Sequence, residues 1–417
     1  MWINSVTIVF IALLVMKLIV EEVLEKINNR HILKHREQIP EGFEQFIDPS
    51  TYQKSIDYTL AKSEFSSLCS IWILVFDSIL IISGFLPSLW SAFSKFFGLG
   101  ILGQATTLLG INIILSSLTI PFSWWRQFYL EESFGFNRST QFIFWMDKIK
   151  GCFIALLFGL PILSVIIYLF REFPNSWWIW GWTVLMLFQV LMIVLYPLFI
   201  LPLFNKLTPL PEGELKNRLI KLATASHFPI NKIYTMDGSK RSAHSNAFFT
   251  GLGKFRHIVL HDTLIAQMTV EEIAAVLAHE IGHYKHQHVA VQLMIEGICT
   301  FLGFGVLYYL SSADWFLKSF GFDVAYTYSF VPLVLIFSMI IPGITFWIEP
   351  LFNYLSRKHE YAADRFAREA LGEAESLISG LRKLHRENLS NLTPHPIFTA
   401  FHYAHPTLLE REFALKK

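Results

Sequence analysis

His279-Glu280-Ile281-Gly282-His283 sets two imidazoles four residues apart, with a carboxyl directly after the first. On a helix, residues i and i+4 share a face, so both rings can reach one divalent ion, and zinc is the ion that takes such ligands. Glu280 can then take a proton from a water at that ion, which is the chemistry of peptide hydrolysis. Catalytic zinc takes a third protein ligand and keeps a fourth position open. The downstream run Ser356-Arg357-Lys358-His359-Glu360-Tyr361-Ala362-Ala363-Asp364 offers one, because Glu360 and Asp364 share a face of a predicted helix. Glu360 completes a His, His, Glu set, and Asp364 can accept a hydrogen bond from a ligand imidazole and fix its tautomer. A solvated charged face is the plainer reading of these two acids. Cys69, Cys152 and Cys299 lie in apolar runs and build neither a disulfide framework nor a CxxC site, so His and carboxylate must hold any metal.

These side chains need elements to position them. Thr269 and Glu272 form a capping box that opens the helix carrying HExxH, through Ile273, Val276 and Leu277. Around it, residues 205–287 read as a small α+β unit. Gly213 to Ala225 has helical spacing with Leu215, Leu219 and Leu222 on one face, and Lys232–Met236, Ala247–Thr250 and His257–Leu260 read as strands.

The rest of the chain reads as membrane. Of 417 residues, 53% are hydrophobic and only 16% charged, with mean hydropathy +0.44. Soluble proteins carry about a quarter charged residues. A spanning helix needs about 20 mainly apolar residues. Candidates are Ile3–Val20, Phe65–Leu86, Gly98–Phe122, Gly151–Phe170, Trp177–Leu201, Val289–Leu310 and Phe330–Phe346, about seven spans. Ile3–Val20 lacks the basic start and cleavage site of a signal peptide and reads as a retained helix. The expected organisation is residues 1–204 as spans one to five with their loops, 205–287 as the metallopeptidase unit, 288–356 as spans six and seven, and 357–417 as a helical tail that completes the zinc site.

Topology then decides between the readings of Glu360. Two spans separate it from His283, so both emerge on one side of the membrane, where an odd number would forbid a shared site. Lys26, Arg30, Lys34, Arg36, Lys54 and Lys62 follow span one, and Arg126, Arg138, Lys148 and Lys150 follow span three. The alternate loops hold Lys95, Arg171 and Lys318 alone, which places the N-terminus outside and the α+β unit in the cytoplasm. Lys17, Asp77 and Glu296 inside spans are expected at the interface or facing a wet interior, and His286 and His288 at the membrane interface. A net charge of +1 gives no reason to expect nucleic acid.

Over nearly its whole length the sequence resembles the type I CAAX prenyl proteases, multi-pass zinc metallopeptidases. The resemblance rests on Glu131-Glu132-Ser133-Phe134-Gly135-Phe136-Asn137, the Pro197–Leu210 stretch with Phe204-Asn205-Lys206, and Ser245-Asn246-Ala247-Phe248-Phe249-Thr250-Gly251. It continues through the HExxH helix, Glu360 to Asp364, and His405-Pro406-Thr407-Leu408-Leu409-Glu410-Arg411, all in the family's order. It implies a mainly α fold of membrane helices around a water-filled chamber, with a gluzincin-type α+β peptidase unit. It implies one catalytic zinc on His279, His283 and Glu360, and Glu280 as general base. Asn246, Ala247 and Phe248 would align an extended substrate, and His405 and Arg411 would stabilise the oxyanion. For Asp364 the family's proton-donor role stands beside the tautomer-fixing role read from spacing. The implied partners are membrane lipid and peptide or protein substrates with prenylated C-terminal tails, cut to release three residues after the lipidated cysteine. A compact chain without long insertions fits a bacterial inner membrane, or the endoplasmic reticulum membrane in a eukaryote. Two rival readings are a quality-control metalloprotease for membrane proteins and a transporter or receptor that binds haem or a metal through His279 and His283; the second leaves Glu280 and Glu360 without a use.

Overall fold

The structure, a computed structural model, describes residues 3–230, 232–250, 257–323 and 325–417; Gly251, the end of one motif above, lies outside them. The first half is a run of helices: α1 Ser5–Lys34, α2 Pro49–Ser83, α3 Phe85–Phe97, α4 Ile101–Ser117, α5 Ile120–Trp125, α6 Gln141–Glu172, α7 Trp177–Leu195 and α8 Leu201–Phe204. A π-helical turn, Arg126–Glu131, continues α5, and another, Tyr196–Ile200, joins α7 to α8.

Among the described residues, five helical segments are long and apolar enough to cross a membrane: α2, α6, the α7–α8 run, and two later helices. A sixth arises if α4 and the α5 run count as one span, bent by 45°. Of the about seven spans expected from apolar windows, this criterion thus picks out five or six among the described residues. The stretch Gly98–Phe122 is broken at Leu118 and Thr119, and α1 carries Lys17, Glu21 and Glu22 along its apolar stretch, Lys17 and Glu21 pairing at 3.0 Å. α2 starts well before its apolar window because Asp48 caps it, accepting from the amides of Ser50 and Thr51, with Pro49 in the first turn. Its polar first half packs Tyr52 and Ile56 into the core of the α+β unit.

That unit has a four-stranded sheet of β1 Leu207–Pro209, β2 Lys232–Met236, β3 Ala247–Thr250 and β4 His257–His261 in the order β1-β2-β4-β3. β4 runs parallel to β2 and antiparallel to β3, which leaves β3 at an edge. The helices are α9 Glu214–Ala225, α10 Asp262–Gln267 and α11 Val270–Lys285. Leu219 and Leu222 of α9 and Ile273, Leu277 and Ile281 of α11 share one core with Ile258 and Leu260 of β4. The expected capping box opens α11: the Thr269 hydroxyl accepts from the Glu272 amide and the Glu272 carboxylate from the Thr269 amide.

α12 His288–Ser311 and α13 Asp314–Ser319 lead into α14 Phe330–Leu371, one continuous helix of 42 residues whose first part is membrane-apolar and whose last part lies on α11. The chain ends with α15 Glu375–Glu387, α16 Pro396–His402 and α17 Leu408–Lys416. On α12, Glu296 is held by the side-chain amides of Gln189 and Gln292 at 2.7 and 2.9 Å, so this acid is paired within the helix layer.

Candidate metal centre

α11 and α14 cross where Gly282 meets Ala363. A Cβ on Gly282 would lie 2.8 Å from the Cα of Ala363, so only glycine allows this approach. The two flanking histidines and the two acids beside Ala363 are thereby brought face to face. Nε2 of His279 and Nε2 of His283 are 3.1 Å apart. Glu360 Oε2 is 3.4 Å from the first and Oε1 is 3.3 Å from the second. One donor atom from each of the three lies within 4.8 Å of the other two.

The chemistry of this set fits a divalent metal. Two ring nitrogens and a carboxylate converge on one point, and Glu360 Oε2 is buried without a hydrogen bond of good geometry. The surroundings also favour a positive charge. Burial by itself would lower the pKa of His279, but Asp364 and Glu360 outweigh it and raise it to about 9.

The ring of His279 is fixed from behind. Its Nδ1 is 2.8 Å from Asp364 Oδ1, the pair that the spacing suggested would meet. Arg411 forks onto the same carboxylate and is buried. Thr407 and Glu410 form a second capping box that opens α17 and sets Arg411 in its first turn. With Nε and Nη2 both on Asp364, Nη1 of the guanidinium lies 3.7 Å from Glu360. His405 is placed differently. Its Nδ1 is 2.9 Å from Glu360 Oε2 while 67% of its side chain stays exposed, and it lines a cavity of about 600 Å³ with Arg411, Lys62 and Glu25.

Glu280 projects beside this cluster, and burial raises its pKa against the opposing pull of His279 and His283. Asn246, Ala247 and Phe248 open the edge strand, β3, which packs against α11. The Glu131–Asn137 motif props the approach to that strand. Phe136 stacks on His244 at 4.0 Å and accepts the Ala243 amide through its carbonyl, while Glu131 accepts the Tyr58 hydroxyl. Arg241 binds Asp147 on α6 and Asn205, which joins the Phe204-Asn205-Lys206 motif to the same segment. The sequence had given no role to His244 or Arg241, whose partners lie far away in the chain. His288, read as interfacial, faces His283 at 2.9 Å.

This site, set among membrane helices, defines a membrane-embedded metallopeptidase. Residues 28–206 match the CAAX prenyl protease N-terminal region with its five membrane helices, and residues 209–417 match peptidase family M48. CAAX prenyl protease 1 of Saccharomyces cerevisiae is 36% identical over 401 residues, covering 91% of this chain and 88% of that protein. The CAAX prenyl protease 1 homologue of Homo sapiens is 32% identical, covering 93% and 90%. The crystal structure of Ste24p from S. mikatae superposes with a TM-score of 0.91 at 32% identity, covering 99% of each chain. The chain belongs to the M48 peptidase family, among the type I CAAX prenyl proteases.

Proposed function

We propose that this protein is a zinc endopeptidase that removes the three C-terminal residues following a prenylated cysteine. The observation that carries the peptidase reading is the convergence of His279, His283 and Glu360 beside Glu280; the substrate class rests on relatives named CAAX prenyl protease that match nine-tenths of the chain. His279, His283 and Glu360 would hold the zinc ion, which would supply Lewis acidity to the scissile carbonyl and to the attacking water. Glu280 takes the proton from that water and returns it to the leaving amine. His405, beside Glu360 and open to the cavity, is placed to donate to the oxygen on which negative charge grows. Asp364 and Arg411 hold His279 in register, and Arg411, which lines the same cavity as His405, is near enough to help steady that growing charge. Among the described residues β3 lies at the end of the sheet order, and the tail lies along Asn246, Ala247 and Phe248 by adding its backbone to the sheet. The lysines and arginines following the first and third apolar stretches support a cytoplasmic active site, in a bacterial inner membrane or the endoplasmic reticulum. A lipidated substrate suits this setting because a prenyl chain partitions into hydrocarbon.

The test is hydrolysis of a fluorescent farnesylated peptide by the purified protein, with Glu280→Gln as control. Release of the terminal tripeptide by the wild type alone is expected. A wild type that ignores the lipidated peptide but cuts unlipidated membrane proteins would replace this reading with quality control.

A further inference from the structure

We infer that His288 is a positioning residue for the metal site, accepting the Nδ1 proton of His283 and so turning Nε2 of His283 toward the ion. The inference rests on the zinc-site reading above. Nδ1 of His283 and Nδ1 of His288 are 2.9 Å apart, while Nε2 of His283 faces His279 and Glu360. A neutral imidazole has one N–H and one lone pair. If Nε2 of His283 is to bind a metal, its proton must sit on Nδ1, and the atom 2.9 Å away must accept it. His288 then carries its own proton on Nε2.

The backbone is shaped to make this contact. α11 ends at Lys285, and Gln287 takes φ +56° and ψ 30°, a left-handed conformation that side-chain-bearing residues seldom adopt. Such outliers persist where surrounding structure enforces them, often at functional sites. Here the turn brings the first residue of α12 back onto the last turn of α11. His288 is buried and lies face to face with His359, ring centroids 4.0 Å apart and planes within 9°. His359 directly precedes Glu360, so His288 is clamped between one ligand and the neighbour of another. The two ligand histidines thus have unlike supports, a carboxylate forked by arginine behind His279 and a neutral ring behind His283. Groups in such positions typically govern metal affinity by about 10–100-fold.

Two substitutions separate acceptor from bulk. His288→Asn keeps an acceptor at the δ position, and His288→Leu fills space without one. Zinc affinity of the full-length protein, by chelator competition, should fall about 10–100-fold in His288→Leu and be largely restored in His288→Asn. The melting temperature of metal-free protein reports any loss of fold separately. On the wild type itself, cobalt substitution should give two exchangeable, hyperfine-shifted ring N–H signals, from His279 and His283, and His288→Leu should lose protection of one. Equal zinc affinity in all three proteins, affinity lost alike in Asn and Leu variants, or a single such signal in the wild type would each overturn the role. Wild-type zinc binding indifferent to His279→Ala would instead overturn the metal site, a distinguishable failure.

Discussion

Arg411 donates to both oxygens of Asp364, Nε to Oδ2 at 2.8 Å and Nη2 to Oδ1 at 2.6 Å, and that same Oδ1 faces Nδ1 of His279 at 2.8 Å. All three groups are buried, so the arginine offsets much of the cost of keeping the Asp364 carboxylate there. Removing one partner of a buried pair costs about 3–5 kcal/mol because the other charge is stranded. Arg411→Met should therefore lower thermal stability and zinc affinity together. Arg411→Lys keeps the charge but not the fork and should recover only part of either. Melting curves and metal content of the purified variants check this; full zinc affinity in Arg411→Met would mean that Asp364 orients the ring unaided.

Glu280 must be ionised to accept a proton, and burial holds its pKa above the ordinary glutamate value. Activity is present above that pKa and disappears as pH falls through it, so the acid limb of kcat/KM should lie above about 4.3, where an exposed glutamate titrates. Glu280→Gln should cost about 10²–10⁴ in kcat while zinc stays bound. A pH profile and a metal assay on the same preparations test both halves. An acid limb at the exposed-glutamate value would assign the base elsewhere.

The Gly282–Ala363 crossing has no room for a side chain, and the atom in the way belongs to backbone. Overpacking of this kind costs about 1–3 kcal/mol. Gly282→Ala should weaken zinc binding by pushing α14 and Glu360 away from α11, and Gly282→Val should lose the ion. Zinc titration reads the effect. If Gly282→Val binds zinc normally, the close approach is not what positions Glu360.

Glu272 fastens α11 to α15, accepting from Lys383 Nζ at 2.7 Å and Ser379 Oγ at 2.6 Å besides capping its own helix. Burial would raise its pKa, but these donors win and lower it. For a carboxyl lowered in the folded state, the stabilisation is complete above the unfolded pKa and is lost as pH falls through the folded one. Glu272→Ala should cost about 1–3 kcal/mol at neutral pH and flatten the acid side of the melting-temperature profile. A wild-type profile that is already flat there would remove Glu272 as a pH-dependent clamp.

Much of this site was legible because its signals are local. HExxH, the Thr269–Glu272 box and the four-residue spacing of Glu360 and Asp364 each depend on one helix, and the strands at Lys232–Met236, Ala247–Thr250 and His257 onward follow from short apolar runs. Contacts between distant segments were not legible. Nothing near Arg411 announces that it will fork onto an acid 47 residues earlier, and a left-handed Gln287 leaves no periodicity to read. Apolar windows likewise saw only the hydrocarbon part of α2 and joined α4 and α5 across their bend.

If a guest adds to β3 as proposed, an edge strand would recognise it through peptide groups, which every sequence possesses, and the pleat would demand that it be fully stretched. A tail aligned there can vary in its letters yet must be unfolded and thin. Choosing among candidates would then fall to whatever delivers a loose end to the cleft, and a greasy tether would matter more than the text it carries.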